Sequence, residues 1–446
     1  MTKPTTKLRT TTKKPMTTAD QLERMLGLAL GGPPRLRLRA WDGSETGPSG
    51  APVVEVRSRD ALRYLAQEPN ELGLARAYVS GALAVEGDLY AVLAALPLDD
   101  PDRQPAPAPL PRQRAQLATL AARTGVLGRA PAPPPEETVL SGRLHSRARD
   151  RAAVTHHYDV GNDFYRLVLG ESMVYSCAYW RRPGEPGYTL EDAQRDKLDL
   201  VCRKLGLHER PGPVRMLDVG CGWGSLLLHA ASTYGVSAVG ITLSEPQAEL
   251  ARARLAEAGL GEQVEIRVQD YRDVTDGPFD VVASVGMAEH VGEVAYGGYA
   301  RTLLGLLRPT GRLLNHQISR RPGPRRKGAS FIEAFVFPDG ELLPIATTVR
   351  ILEDVGFEVC DVESLREHYA LTLRRWVANL EAGWDRAVAL TSEGRARVWR
   401  LYMAGSALSF EAGRIGVNQV LAVRPGPGGS TGLPGTREGL LGIGGT

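Results

Sequence analysis

Residues 214–225, VRMLDVGCGWGS, constrain this chain more than any other stretch. A short apolar run reaches Asp218, and Gly220, Gly222 and Gly224 then alternate before an apolar segment that begins at Leu226. The order is strand, glycine turn, helix. Glycines lack a Cβ, so the backbone turns tightly and a ligand can approach the helix N-terminus, which favours a nucleotide-like ligand. The spacing excludes two common solutions, because neither G-x-G-x-x-G nor G-x-x-x-x-G-K-[ST] is present.

The same alternation continues downstream. Strands are expected at 215–219, 238–241, 264–268, 279–285 and 312–315, with helices at 226–234, 246–258 and 297–307 between them. This spacing predicts an α/β fold with a mainly parallel, doubly wound sheet that binds ligands at the carboxyl ends of its strands. Polar residues stand at those ends: Thr242, Ser244 and Gln247, then Asp270 and Tyr271, then Glu289 and His290, then His316. A helix at 190–205 opens on Glu191 and Asp192 and stops before Gly206, and a last strand is expected at 419–423.

A chain of 446 residues has room for two domains. Residues 19–98 read as a small α+β unit: helices at 22–30, 60–65, 71–80 and 89–96, strands at 36–41 and 53–57, and an extended piece at 81–87. It carries no acid, base or ligand cluster of its own. Residues 99–137 are a Pro/Ala-rich linker interrupted by a helix at 113–123, and 138–423 form the second domain. The basic stretch 1–18 and the Gly- and Pro-rich stretch 424–446 are expected to be disordered tails.

Hydrophobic content of 43% and charged content of 24% belong to soluble globular proteins, and a net charge of +3 is too small to argue for nucleic acid. Cys177, Cys202, Cys221 and Cys360 form no C-x-x-C pair, which points to reduced cytoplasmic thiols. His156 and His157 are adjacent and cannot face one site on a helix, so no metal is expected. No apolar run approaches the roughly 18 residues of a membrane span, and no secretory signal opens the chain. The chain is therefore expected in the cytoplasm, meeting the inner face of the cell membrane peripherally. Basic clusters at 143–151 and 320–327 suit an anionic bilayer.

The loop D-x-G-x-G-x-G resembles the S-adenosylmethionine loop of class I methyltransferases. Six further motifs accompany it: HYDVGNDFY at 157–165, YSCAYW at 175–180, Thr242 with Ser244 and Gln247, SVGMAEHVG at 284–292, FPDG at 337–340, and His368-Tyr369. Together they resemble the cyclopropane fatty acid synthase family of S-adenosylmethionine-dependent lipid methyltransferases, which includes the mycolic acid cyclopropane synthases. The N-terminal unit resembles the smaller domain of the phospholipid-acting members. The resemblance implies a class I methyltransferase Rossmann-like sheet, with S-adenosylmethionine held by Tyr175, Ser176, Asp218, Gly220, Gly222, Thr242, Gln247 and Tyr271. It also implies a bicarbonate ion caged by Cys177, the Val285 backbone, Glu289, His316 and Tyr369. Ala288, Asn315 and Tyr271 depart from the family's usual residues, which bears on the shape of the acyl pocket.

The implied substrate is a membrane phospholipid with an unsaturated acyl chain. An isolated alkene is a poor nucleophile, so the sulfonium methyl must sit in line with its π bond, and orientation supplies most of the catalysis. The resulting carbocation is stabilised by aromatic faces and destroyed by water, and Tyr165, Phe331, Phe335 and Trp376 are candidates for that lining. Loss of a proton from the added methyl closes a cyclopropane ring. A different proton loss gives a methylene-branched chain, which a separate reductase would saturate. A small-molecule N- or C-methyltransferase is the other reading, and the resemblance also allows a homodimer.

Overall fold

The computed structural model describes residues 15–30, 35–96, 111–126, 128–129, 131–138, 146–147, 149–150, 160–210, 212–323 and 330–442. Residues 1–14, the Pro-rich run 97–110, the segment with His156, His157 and Tyr158, and the basic residues 324–327 lie outside these. By its contacts the chain divides into Met1–Pro133 and Pro134–Thr446.

The first unit contains α1 (Thr18–Leu30), β1 (Arg37–Ala40), β2 (Glu45–Thr46), β3 (Val53–Val56), α2 (Asp60–Gln67), α3 (Glu71–Val79), β4 (Leu83–Glu86), α4 (Leu89–Ala95) and α5 (Pro111–Arg123). Its sheet runs β2-β1-β3-β4, with β1 and β3 parallel and both outer pairs antiparallel. Alternation in β1 and β3 turns Leu38, Ala40, Val54 and Val56 inward, the period-2 signature of a half-buried strand.

Two expected boundaries move here. Thr17 and Thr18, assigned to the tail, cap and begin α1, because Thr17 N donates to the Asp20 carboxylate at 2.9 Å and Asp20 N returns a bond to Thr17 Oγ1 at 3.2 Å. This reciprocal cap satisfies donors that a helix start leaves open. Much of the expected linker is packed structure: Leu120, Thr124 and Val126 are buried, and Tyr64 OH donates to the Ala132 carbonyl at 2.7 Å.

The second unit contains α6 (Asn162–Leu169), α7 (Leu190–Lys204), β5 (Arg215–Val219), α8 (Ser225–Tyr234), β6 (Ser237–Thr242), α9 (Glu245–Glu257), β7 (Val264–Val268), β8 (Phe279–Val285), α10 (Glu293–Leu306) and β9 (Leu307–Arg320). There follow α11 (Phe331–Phe335), α12 (Ile345–Asp354), β10 (Glu358–Ser364), α13 (Arg366–Ala382), α14 (Trp384–Leu390), α15 (Glu393–Glu411), β11 (Ile415–Val423) and α16 (Arg437–Leu441). The seven strands run β10-β11-β9-β8-β5-β6-β7. β9, β8, β5, β6 and β7 are mutually parallel, and β11 is antiparallel to both its neighbours. β5 and β8 are apolar runs buried along nearly their whole length, as central parallel strands covered on both faces must be. One face packs Val201, Leu205, Leu227 and Ala251 from α7, α8 and α9, and the other packs Tyr299, Leu303 and Leu352 from α10 and α12.

The expected strand at 312–315 is one part of β9, which extends to Arg320 because β11 pairs with it from Ile415 through Val423. His316 therefore lies inside a strand rather than after one. Residues 424–442, expected as a disordered tail, dock instead. Arg437 Nε donates to Asp361 Oδ1 at 2.9 Å, and Leu440 is buried in the core on the α7 side. Leu440→Ala should cost about 2 kcal/mol or more, read as a lower urea midpoint at unchanged m-value. An unchanged midpoint would mean that the tail contributes nothing.

Candidate active site

A cavity opens at the carboxyl ends of β5, β6, β7 and β8. Its floor is the glycine turn, where Gly220, Gly222 and Gly224 have φ of +83°, +53° and +76°. Left-handed backbone is strained for any residue with a Cβ, which is why glycine recurs there. The amides of Gly220 and Cys221 both donate to the Ile241 carbonyl, at 3.0 and 2.9 Å, drawing the turn against β6. Trp223 Nε1 donates to Asn162 Oδ1 at 2.8 Å, tying the start of α6 to the same turn.

The other walls are equally fixed. Thr242 Oγ1 donates to Gln247 Oε1 at 2.8 Å, and Ser244 caps α9. Tyr271 is held edge-on by Tyr299 at 5.1 Å between ring centroids, with the Arg272 guanidinium 5.3 Å from its own ring centre. All eight residues that the resemblance assigned to the methyl donor, Tyr175, Ser176, Asp218, Gly220, Gly222, Thr242, Gln247 and Tyr271, line this one cavity.

Cys177, Glu289, His316 and Tyr369 do not line it. They gather around the adjoining pair β9 and β11. His316 is the register partner of Val285, which does line the cavity, and its Nδ1 is 3.3 Å from Gln419 Nε2 on β11. Glu289 Oε1 accepts the Ile318 amide at 2.7 Å, two residues along the same strand. Ile318 pairs with Val417, whose carbonyl accepts the Leu365 amide at 2.9 Å. The Leu365 carbonyl in turn accepts the Cys177 thiol at 3.6 Å and the Tyr369 amide at 3.1 Å. Residues from 177 to 369 thus meet through two strands and one loop residue.

Burial sets the protonation of this cluster. It pushes the Glu289 carboxyl up to about 7 and His316 down to about 3, where the cations Lys197 and Lys204 push the same way. His316 is therefore neutral at physiological pH. The Cys177 thiol is held well above its usual range by burial, so it is a thiol and not a nucleophilic thiolate. His290 lines the cavity, sits against Phe337 and is pushed down to about 4 by burial. Two buried atoms of the cluster, Glu289 Oε2 and His316 Nε2, have no hydrogen-bond partner among the described residues. Unpaired buried polar atoms are rare in folded proteins and call for a ligand or water.

Aromatic rings border the junction between the two regions. Tyr175 lies 5.6 Å from Tyr165, 5.5 Å from Trp376 and 5.8 Å from Trp399, centroid to centroid, and its hydroxyl donates to Tyr402 OH at 3.3 Å. Of the four expected lining aromatics, Tyr165 and Trp376 join this group, while Phe331 packs on Phe335 at 5.6 Å. Sequence reasoning missed Trp399, Tyr402, Gln194 and Lys197. The last two had a visible signal, because they fall on the buried stripe 190, 194, 197, 201, 204 of α7, where apolar residues are expected.

The model of the mycolic acid cyclopropane synthetase family matches residues 145–420. The chain belongs to that family. It is 40% identical over 417 residues to a probable fatty acid methyltransferase of Pseudomonas putida, covering 90% of this chain and 95% of that protein. A second protein described in the same words, from Mycobacterium tuberculosis, is 41% identical over 412 residues, covering 90% and 93%. Among solved structures, mycolic acid cyclopropane synthase CmaA1 complexed with SAH and CTAB superposes with a TM-score of 0.56 at 34% identity, over 61% of this chain and 98% of that one. This family member is an S-adenosylmethionine-dependent methyltransferase with the parallel sheet of class I enzymes.

Proposed function

We propose that this enzyme methylates the double bond of an unsaturated acyl chain in a membrane phospholipid and closes the product to a cyclopropane. The observation that carries the reading is a pair of buried atoms with no partner among the described residues: His316 Nε2, on the strand beside Val285 at the cavity wall, and Glu289 Oε2, on the turn that follows β8. Both long relatives are described as fatty acid methyltransferases, which supports a lipid substrate. Among the described residues no helix is long and apolar enough to cross a membrane, and we propose that the lipid is met from the bilayer surface.

The cavity residues hold the methyl donor, with Thr242 and Gln247 at its ribose and Tyr271 beside its adenine. An alkene carbon takes the methyl from the sulfonium, the sulfur keeps the bonding electrons, and the other alkene carbon becomes cationic. The rings of Tyr165, Tyr175 and Trp376 stabilise that cation and exclude water. The unpartnered donor and acceptor atoms fit a small oxyanion such as bicarbonate, with Cys177, Tyr369 and the Val285 backbone completing its cage. When bound, bicarbonate supplies the base that takes a proton from the added methyl. Glu289 and His316 orient it, and because they are placed before the cation forms, ring closure competes well with rearrangement. A methylene branch requires a hydride shift from the methyl-bearing carbon before the methyl loses its proton.

The test is mass spectrometry of fatty acid methyl esters from cells rich in oleoyl phospholipid, expressing this chain and fed methionine with a trideuterated methyl. The expected product gains one carbon, retains two deuteriums and co-elutes with a cyclopropane standard. Co-elution with a methylene-branched standard would replace ring closure by the shifted route. Unlabelled lipid would overturn the lipid substrate and favour a small-molecule acceptor.

A further inference from the structure

The cavity is bordered by two opposite charges that neither the glycine turn nor the base cluster requires. Lys197 on α7 and Asp218 at the end of β5 are each 2% exposed, and both line the cavity. The Lys197 ammonium donates to Ser176 Oγ at 3.1 Å, and among the described residues that is its one hydrogen bond. Asp218 Oδ1 is buried and has no partner among the described residues.

A brace for Ser176 does not explain a lysine. Gln194, one turn earlier on the same face of α7, already serves that purpose by donating to the Ser176 carbonyl at 3.0 Å and the Val174 carbonyl at 3.4 Å. Gln194 is neutral and inexpensive to bury, whereas an ammonium loses its hydration and is retained where an anion compensates it. Burial lowers Lys197 to about 8 and raises Asp218 to about 7, and each opposes the other's shift through its charge. Two of the ammonium's three N–H groups remain available, as does one carboxylate oxygen opposite.

The methyl donor carries matching groups. Its amino acid tail is a zwitterion, with a carboxylate and an ammonium on one carbon, and Thr242, Gln247 and Tyr271 are the residues proposed above for its nucleoside. We propose that Lys197 anchors the tail carboxylate, with Asp218 facing the tail ammonium, so that this pair fixes the depth at which the sulfonium sits. The inference rests on S-adenosylmethionine being the donor and adds a binding residue that none of the motifs marks.

Titration calorimetry with S-adenosylhomocysteine and with 5′-methylthioadenosine, which has the same nucleoside and thioether but no amino acid tail, tests it. Lys197→Met should weaken S-adenosylhomocysteine about 10- to 100-fold, the scale of a lost charge-assisted bond, and leave methylthioadenosine within about threefold. Lys197→Arg should keep most of the discrimination. An unchanged S-adenosylhomocysteine affinity in Lys197→Met, or an equal loss for both ligands, would overturn the proposal. If that variant does not fold, Lys197→Gln carries the same comparison. Wild-type protein that binds neither ligand would remove the donor itself and this inference with it.

Discussion

Glu289→Gln should lower turnover about 10³-fold or more while S-adenosylhomocysteine affinity stays within about threefold. The amide keeps the contact that matters for folding, since its oxygen can still accept the Ile318 amide that Glu289 Oε1 accepts at 2.7 Å. It loses the negative charge and places an N–H₂ group where Oε2 now has no partner. Because Glu289 is outside the donor cavity, donor binding has no reason to change. The pH dependence follows from the same group. Burial raises its carboxyl to about 7, so the carboxylate forms as pH rises through that value and is lost as pH falls through it. Turnover should therefore climb between about pH 6 and 8. His316, near 3, is neutral throughout and adds no limb to that profile. Wild-type-like product from the Gln variant, or a profile flat from pH 6 to 8, would remove Glu289 from the chemistry.

Gly220→Val should abolish measurable donor binding, a loss of about 100-fold or more, and lower the thermal midpoint by a few degrees. The cause is the backbone. A Cβ at this position would stand 3.5 Å from Met287 Cβ, an ordinary contact, so space is not the obstacle. The obstacle is φ +83°, which a β-branched residue adopts only at a genuine cost. Relieving it would pull the Gly220 and Cys221 amides away from the Ile241 carbonyl and move the cavity floor. Circular dichroism melting and calorimetry separate the two readouts. Full donor affinity in this variant would show that the turn tolerates side chains and is not the donor's floor.

How much of this was legible in the sequence depends on burial. β5 and β8 announce themselves because central strands covered on both faces are apolar runs bounded by turns, and the edge strand β7 does so by alternation, with Val264 and Ile266 turned inward. β10 does not: within Glu358–Ser364 only Asp361 is buried, and the strand is an edge whose alternation mixes charge and aliphatic residues. α16 lies in a stretch whose glycine and proline content reads as disorder, and its docking rests on contacts distant in sequence: buried Leu440, Arg437 on Asp361, and the Leu441 carbonyl accepting from Arg203 at 3.1 Å. Of the cavity residues, Asp218, Gly220, Gly222, Thr242, Gln247 and Tyr271 were legible because each lies at or just after the carboxyl end of a strand, whereas Tyr175 and Ser176 lie between α6 and α7 and only their motif marked them. The contact of Cys177 with Leu365 spans 188 residues, and no local pattern encodes it. Lys197 and Lys204 were legible in principle, because they share a helix face with Leu190 and Val201, but a helix with good caps invites the reading that its lysines face water.

The position of β11 has a consequence for how the molecule is made. It lies between β9 and β10 although both precede it in the chain, so β10 leaves the ribosome with no strand to pair with. Until β11 inserts, β9 and β10 both present unpaired edges, and such edges recruit other chains. His316 also lacks its Gln419 neighbour until that moment. Insertion of this one antiparallel strand thus closes the sheet and brings Gln419 to His316 in the same step. Nascent chains halted before residue 415 should accordingly be the species that chaperones hold.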